Sequence, residues 1–520
     1  MPEWFRIFGL LLKHHGIVLV LTLLLCSCEE APEKQKKPAQ MELPNIILLM
    51  GDDHGWDETG YNGHPFVQTP VLDEMAASGL RFDRFYSGHP TCSPTRGSFL
   101  TGRHPNRYGT FSPGYSIRPE ETTIAHLAKK AGYETAHFGK WHLGPVKKES
   151  PTNPSKMGFD EYLSHDNFFE IDPVLSRNGA APQKFEGESS EIIIGETLKF
   201  IEKSKDNKKP FLAVVWFGSP HEPYSGLPED LALYDNLPDS LNQTQVALTS
   251  NKTGSRVERP LGDVLRERYA EITAMDRSIG VLRDYLKNAD LKDNTLVWYC
   301  GDNGPPSSAG RAGVTVRAEK GSLYEGGVLV PGLLEWPAVI EKPFATDAVS
   351  VTSDFFPTLS EMFGEALPGY PIDGSSLLPI IKATVTAQEK ELCFWKIDQA
   401  QVIGENAEDY IEADLQEGTT PLVKKMDGKF TRSFKNFVYP GMSENDVQGE
   451  RSILHKNFKL YVTENTENES VMELYDIKKD RAETNNIADT HPEVVTELNE
   501  KLVNWQASVL NSLKGADYGK

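Results

Sequence analysis

The stretch Asn45-Ile46-Ile47-Leu48-Leu49-Met50 (NIILLM), followed at once by Gly51-Asp52-Asp53, decides how the rest of the chain reads. From Ile46 the run is continuously apolar rather than alternating, the pattern of a strand covered on both faces. The same punctuation recurs three times. Glu134–Phe138 (ETAHF) runs into Gly139-Lys140-Trp141-His142, and Phe211–Phe217 (FLAVVWF) into Gly218-Ser219-Pro220-His221. Thr295–Cys300 (TLVWYC) runs into Gly301-Asp302-Asn303-Gly304. Helix-like stretches lie between, at Pro70–Ser78, Thr123–Ala131, Ile192–Lys203 and Leu265–Leu286. Strands alternating with helices imply an open α/β architecture with a large, mostly parallel central sheet. In such sheets the carboxyl ends of the strands line the ligand crevice. Four separate segments would then bring Asp52, Asp53, Lys140, His142, His221, Asp302 and Asn303 to one rim, each beside a glycine that permits a tight turn.

Each of these residues alone has an ordinary explanation, since Asp-Gly and Asn-Gly are common turns and a Gly-Lys is often surface. Their recurrence at four strand ends favours a site. Asp52, Asp53, Asp302 and Asn303 offer only oxygen, which suits a hard divalent cation such as Ca²⁺ or Mg²⁺ better than zinc. If the strand persists past Gly139, Lys140 and His142 face one side and Trp141 the other. A fifth element is Cys92-Ser93-Pro94-Thr95-Arg96. Pro94 suits a first helical turn, which places Cys92 just before a helix N-terminus where the dipole favours an anion. Arg96 offers a fixed fork of donors for sulfate or phosphate oxygens. A bare Cys-x-Pro-x-Arg is nevertheless a weak pattern, and a buried thiol ahead of a capped helix reads the same way.

A length of 520 residues favours two domains. After about residue 385 the pattern changes to short strands at Leu392–Ile397, Ser452–Leu454, Phe458–Val462 and Glu473–Asp476, closed by an amphipathic helix at His491–Ser512. The expected division is a catalytic domain over 44–385 and a smaller α+β unit with an antiparallel sheet over 386–520. The polar stretch 401–449 is a long insertion within the latter. The net charge of −21 argues against nucleic acid as a partner. It also demands local positive charge if the substrate is an anion.

Residues 1–28 have the layout of a secretory signal. Arg6, Lys13, His14 and His15 precede a short apolar stretch, Gly16–Leu25, too short for an ordinary membrane span. The end, Leu25-Cys26-Ser27-Cys28, resembles a bacterial lipobox, which would make Cys28 the lipidated first residue. A plain signal peptide cut nearby, or a short retained anchor, are the other readings. Residues 29–43 then form a solvated linker. With Cys26 and Cys28 so used, Cys92, Cys300 and Cys393 remain. Cys300 and Cys393 read most simply as buried thiols.

The segment CSPTRGSFLTGR (92–103) resembles the signature of the formylglycine-dependent (type I) sulfatases, in which that Cys is oxidised to an aldehyde after translation. Other segments match in order: PNIILLMGDDHGWDETGYNG (44–63), GYETAHFGKWHLG (132–144), GSPHEPY (218–224), CGDNG (300–304), EKGSLYEGGVLVPGLLEWPA (319–338) and DFFPTL (354–359). KNFKLYV (456–462) and ELYDIKKDRAETNNIA (473–488) extend the likeness towards the C-terminus. The resemblance implies an alkaline-phosphatase-like fold with a smaller C-terminal domain, and hydrolysis of sulfate esters. It implies that Asp52, Asp53, Asp302 and Asn303 hold one Ca²⁺ together with residue 92, converted from Cys to 3-oxoalanine. It implies that Arg96 and His142 orient and activate residue 92, and that Lys140, His221 and Lys320 contact the sulfate and its leaving oxygen. Maturation would need a formylglycine-generating or an anaerobic sulfatase-maturating enzyme.

A tethered member would work at the cell envelope, in the periplasm or on the outer-membrane surface, which favours sulfated oligo- or polysaccharides as substrate. Candidate selectivity residues are His165, Asp166, Asn167, the 222–262 segment, Arg311 and Arg317, the two arginines as partners for a uronate or a second sulfate. Two departures stand out. Leu329 replaces the usual Arg of a Gly-Gly-x-Arg-Val-Pro stretch, for which a packing change is expected, and His54 follows the Asp pair where Leu is common. The rival readings are a phosphonate or phosphate monoester hydrolase with the same machinery, and a catalytically silent lipoprotein that binds sulfated glycans.

Overall fold

The apolar runs form the middle of a ten-stranded sheet. The computed structural model describes residues 43–250, 253–309, 312–313, 315–399, 403, 407–421, 431–439, 441–443 and 446–518. The sheet order is Phe344–Thr346, Leu80–Phe82, Gly332–Glu335, Thr295–Gly301, Asn45–Gly51, Phe211–Trp216, Glu134–Lys140, Glu161–His165, Val174–Arg177 and Gln183–Lys184. The five strands from Thr295–Gly301 to Glu161–His165 are mutually parallel, and antiparallel pairs flank them on both sides. Register aligns their ends: Gly51 lies opposite Gly301, Met50 and Gly139 opposite Trp216, and Lys140 opposite His165. The residues after these ends therefore share one rim, as in other open parallel sheets.

Burial explains why the runs are continuous. Ile46, Leu48, Met50, Val214, Trp216 and Trp298 pack on one face under the helices Cys92–Thr101, Ile124–Lys130 and Phe355–Phe363. Ile47, Leu49, Ala213, Val215 and Tyr299 pack on the other under Pro70–Ser78, Ser189–Asp206 and Leu261–Asn288. A strand sandwiched by helices has no solvated face on which to place polar residues. Three helices run longer or shorter than their sequence periodicity suggests: Ile124–Lys130, Ser189–Asp206 and Leu261–Asn288. The first is trimmed because Thr123 serves as its cap, accepting from the His126 N–H.

The C-terminal strands Glu391–Trp395, Arg451–His455, Phe458–Glu464 and Ser470–Asp476 form an antiparallel meander. The helix Pro492–Leu513 covers one face through Leu498 and Leu502, against Ile453, Leu460 and Leu474. Cys300 and Cys393 are buried free thiols. Among the described residues, no helix is long and apolar enough to cross a membrane.

A buried ion triad joins the meander to the loop region that follows Lys320. Lys459 Nζ lies 2.9 Å from Glu325 Oε1 and 3.0 Å from Glu483 Oε1, all fully buried. The Tyr86 hydroxyl donates to Glu325 Oε2 at 3.0 Å. Burial pushes the Glu483 carboxyl up to about 7, with Lys459 opposing. Lys459→Met leaves two buried carboxylates without their cation. The variant is expected to lose about 3 kcal/mol of stability, read as a lowered urea midpoint at unchanged slope; an unchanged midpoint would dismiss the triad as a structural tie. Leu329 packs nearby among Tyr86, Val328, Val351 and Phe394. The position usually held by an arginine is here part of an apolar contact.

Candidate active site

The rim residues converge. Beyond the strand Asn45–Gly51, the Asp52 N–H donates to the Ser219 carbonyl at 3.0 Å, and the Asp302 N–H donates to the Gly51 carbonyl at 3.1 Å. Three strand ends are thereby laced together. Asp52, Asp53, Asp302 and Asn303 are fully buried. Arg96 Nη2 donates to Asp302 Oδ2 at 2.7 Å and lies 3.4 Å from Asp52 Oδ1. Lys140 Nζ donates to Asp52 Oδ2 at 2.6 Å. Lys320 Nζ lies 2.6 Å from Asp53 Oδ1, and His221 Nε2 lies 3.7 Å from Asp53 Oδ2. Cys92 Sγ is 3.8 Å from Asp53 Oδ1. Cys92 is the first residue of the helix Cys92–Thr101 rather than the residue before it. Its side chain still sits at the positive end of the dipole.

The expected alternation past Gly139 does not hold. The strand ends at Lys140, and His142 takes a φ of 57°, a left-handed conformation uncommon for a non-glycine residue. That turn, rather than strand pleating, brings His142 round to the side of Lys140, while Trp141 packs into the core against Trp216. Asp53 is left-handed as well, at φ 63°. Gly139 makes the approach feasible: a Cβ there would meet the Trp216 carbonyl oxygen at 1.9 Å, and its φ is +101°.

Electrostatics sort the groups by role. Burial works to raise the Asp53 carboxyl, but Lys320, His221 and Lys140 together hold it below the usual range. Burial and the Asp52 charge push Asp302 up to about 6, with Arg96 opposing. Burial pushes the Cys92 thiol up to about 12. Burial and the neighbouring cations Lys140, Arg432 and Arg96 drive His142 well below the usual histidine range, so its imidazole is neutral. Burial takes His221 down to about 3, partly offset by Asp53. Burial works to lower Lys320, but Asp53, residue 92 and Asp52 raise it well above its ordinary value.

The donor set could hold a metal ion. Ligand atoms of Asp52, Asp53, Cys92 and His221 all lie within 4.8 Å of one another. Asp52 Oδ1 and Asn303 Oδ1 are buried oxygens that accept no hydrogen bond, which is unusual unless something else satisfies them. Asp302 borders this group, accepting from the Asp53 N–H at 2.8 Å. Asn303 Nδ2 donates to Asp53 Oδ1 at 2.8 Å.

Several sequence candidates have other duties. His54 is buried and bonded to the Tyr299 hydroxyl at 2.5 Å and the Glu58 carbonyl at 2.8 Å. Asp166 is buried and fully engaged by Val146, Thr419 and Thr420, and His165 Nε2 donates to the Pro421 carbonyl at 3.1 Å. Arg317 stacks on Tyr324 and donates to the Tyr475 hydroxyl. Each is thus engaged by neighbouring groups of the chain itself. Arg311 lies outside the described residues. The 222–262 segment contains a hairpin, Gln245–Thr249 with Arg256–Pro260, tied to Glu222 beside His221.

Three contributors escaped the sequence reading. Arg268 reaches from the long helix to donate to the Asp53 and Pro220 carbonyls, each at 2.6 Å, while Glu58 holds its guanidinium. Phe168 stacks on the His221 ring at 4.6 Å. Arg432 reaches His142 from the C-terminal insertion.

Comparison with known proteins gives the arrangement a lineage. Residues 44–365 match the Sulfatase family. Arylsulfatase A of Homo sapiens is 32% identical over 376 residues, covering 68% of this chain and 70% of its own. The ulvan-active sulfatase of Formosa agariphila is 29% identical over 371 residues, covering 70% of each. A solved structure in complex with its substrate D-glucosamine-2-N,6-O-disulfate superposes at a TM-score of 0.67 and 21% identity, over 92% of this chain and 100% of its own. The phosphonate monoester hydrolase of Agrobacterium radiobacter shares the fold at a TM-score of 0.61 and 19% identity, over 90% and 96%. With well over half its length matched and its rim residues drawn to one hollow, the chain belongs to the sulfatase family.

Proposed function

We propose that this protein removes sulfate from sulfated carbohydrates, using residue 92 as formylglycine and one Ca²⁺ held by Asp52, Asp53, Asp302, Asn303 and residue 92. The observation that carries the proposal is the buried residue 92 at a helix N-terminus, beside Asp53 and ringed by Arg96, Lys140, His142, His221 and Lys320. The likeness of CSPTRGSFLTGR (92–103) to the sulfatase signature supports a modified residue at this position. Carbohydrate as substrate is supported by the relatives named for ulvan and for a sulfated glucosamine. When bound, the cation and the oxidised residue together supply a polarised oxygen nucleophile and a counter-charge for the sulfate.

The chain's own residues do the rest. Lys140 and Lys320 present ammonium groups to the sulfate oxygens. Arg96 fixes Asp302 and Asp52 while its Nη1 donates to the Lys140 carbonyl at 3.2 Å, holding the floor rigid. His142, neutral, accepts the proton that residue 92 must lose to be restored. His221 uses Nδ1 to donate to the Glu222 carbonyl, leaving Nε2 towards the hollow. An arriving oxyanion raises the imidazole's pKa, so that Nε2 carries a proton to the departing sugar oxygen, with Lys320 beside it.

The experiment is kinetic. Matured enzyme should turn over an aryl sulfate faster than the matching aryl phosphate, with both activities lost in EDTA. A much larger rate on phosphate would reassign the chain to phosphate or phosphonate esters. No sulfate release from a broad panel of sulfated glycans, with formylglycine verified by mass, would indicate a binding lipoprotein instead.

The export signal and lipidation at Cys28 lie outside the described residues and are proposed on the lipobox-like sequence alone. A labelled fatty acid should mark the wild-type protein and not Cys28→Ser. Equal labelling would remove the anchor.

A further inference from the structure

Two described stretches of the polar 401–449 segment, around Gln416–Pro421 and Arg432–Phe434, reach the catalytic rim. Asp166, buried at the end of the strand Glu161–His165, accepts from the Thr419 N–H at 2.6 Å and from the Thr420 N–H and hydroxyl at 2.7 Å each. The Val146 N–H donates to the same carboxylate at 2.7 Å. Four donors on one buried acid fix one leg of the segment to the rim. The other leg pairs with the first: the Gly418 N–H donates to the Arg432 carbonyl and the Phe434 N–H to the Gln416 carbonyl, both at 2.9 Å. This pairing delivers Arg432 to the floor of the site. Its Nη1 donates to His142 Nε2 at 2.6 Å, with the Phe434 ring edge-on to the same imidazole.

Arg432 differs from the other cations of the site. Arg96 lies on Asp302, Lys140 on Asp52 and Lys320 on Asp53. Among the described residues, no carboxylate lies within ion-pair distance of Arg432. Burial lowers its pKa, and residue 92 opposes that shift. A half-buried guanidinium with no carboxylate beside it among the described residues is costly to keep, and its planar fork matches an oxyanion better than an imidazole lone pair. Segment anchoring thus holds a guanidinium at the catalytic floor, where its partner is the His142 imidazole.

We propose that Arg432 is a specificity residue that receives an oxyanion of the bound sugar sulfate, taking it up in place of His142 Nε2. The shared chemistry is a sulfate or carboxylate oxygen. It comes either from the sulfate being cleaved or from a second anionic group on the same sugar. The proposal rests on the sulfatase reading above and extends it to residues outside the matched 44–365 region.

The test uses the full-length, matured enzyme and its Arg432→Ala and Arg432→Lys variants. Three readouts are compared: KM and kcat on an aryl sulfate, the same on a sugar sulfate carrying a second anion, and the inhibition constant of inorganic sulfate. Loss of a charge-assisted contact should raise KM by roughly 10- to 100-fold, with lysine restoring part of it. If aryl sulfate KM and the inorganic sulfate constant rise together, the cleaved sulfate is the ligand. If only the doubly anionic sugar suffers, the neighbouring anion is. Affinities unchanged in all three arms would overturn the proposal. So would a loss confined to kcat with a displaced acid limb of the pH profile, since Arg432 would then act only through His142. Unfolding midpoints check that the variants are folded, and Arg432→Gln replaces the alanine variant should that one not fold. Failure of the wild type to release sulfate from any ester would count against the enzymatic reading, and is separable from these outcomes.

Discussion

Cys92→Ala is expected to lower kcat on an aryl sulfate by at least about 10⁴-fold, the scale seen when a covalent nucleophile is removed. The peptide spanning residue 92 in active wild-type enzyme should carry an aldehyde oxygen where the thiol sulfur was. Two features make the effect large. Residue 92 is 1% exposed and opens the helix Cys92–Thr101, so no neighbouring side chain can substitute at that position. Burial also pushes an intact thiol up to about 12, so unmodified protein has almost no thiolate at neutral pH. Alanine keeps the helix start and removes only the sulfur, so the unfolding midpoint should move little. That separates chemical loss from misfolding. Active enzyme with an intact thiol at residue 92 would end the formylglycine account.

The sequence made the catalytic floor legible because parallel strands advertise themselves. Asn45–Gly51, Phe211–Trp216 and Thr295–Gly301 are buried on both faces, so their apolar runs are unbroken and the polar residue after each is conspicuous. The shorter strands flanking this centre were less visible. Leu80–Phe82 and Gly332–Glu335 are three and four residues long, too short to show a period. Glu161–His165 was missed because its only strong apolar residues are Tyr162 and Leu163. With it went the true duty of Asp166, which looks like a rim ligand in one dimension and is a buried anchor in three.

Pairings between distant segments were beyond reach for a different reason. Arg268 sits on the long helix Leu261–Asn288, and its partner Glu58 is 210 positions away. His142 arrives through a left-handed turn that no periodicity foretells. Arg432 lies in a segment with no pattern at all, and only the backbone pairing of its two legs shows where it goes. Residues at strand ends were readable from periodicity; Lys320, on a loop, was named only through the family resemblance, and Arg268 and Arg432 were not named at all.

Asp53→Asn is expected to cost about 10⁴-fold in kcat/KM, because it weakens both the cation's seat and the charge that organises the hollow. Asp53 is the hub of the site. Lys320 lies on its Oδ1, Asn303 donates to the same oxygen, His221 approaches Oδ2, and Cys92 Sγ is 3.8 Å away. Burial works to raise this carboxyl, but Lys320, His221 and Lys140 together hold it below the usual range, so it is charged throughout the working pH range. Asp302, in contrast, is pushed to about 6 by burial and the Asp52 charge, a sign that three acids in one hollow repel each other. A divalent cation relieves that repulsion and asparagine cannot contribute its share. The readout beyond activity is thermal: Ca²⁺ at 100 times its dissociation constant should stabilise EDTA-stripped wild type by about 2.7 kcal/mol, and stabilise Asp53→Asn far less at the same concentration. Asparagine preserves shape, and any stability lost by unpairing Lys320 shows already in the EDTA-stripped protein, separate from the Ca²⁺-dependent increment. Full activity together with a wild-type response to Ca²⁺ would show that the cation, if any, binds elsewhere, and the ring of cations around Asp53 would then be a structural ion network.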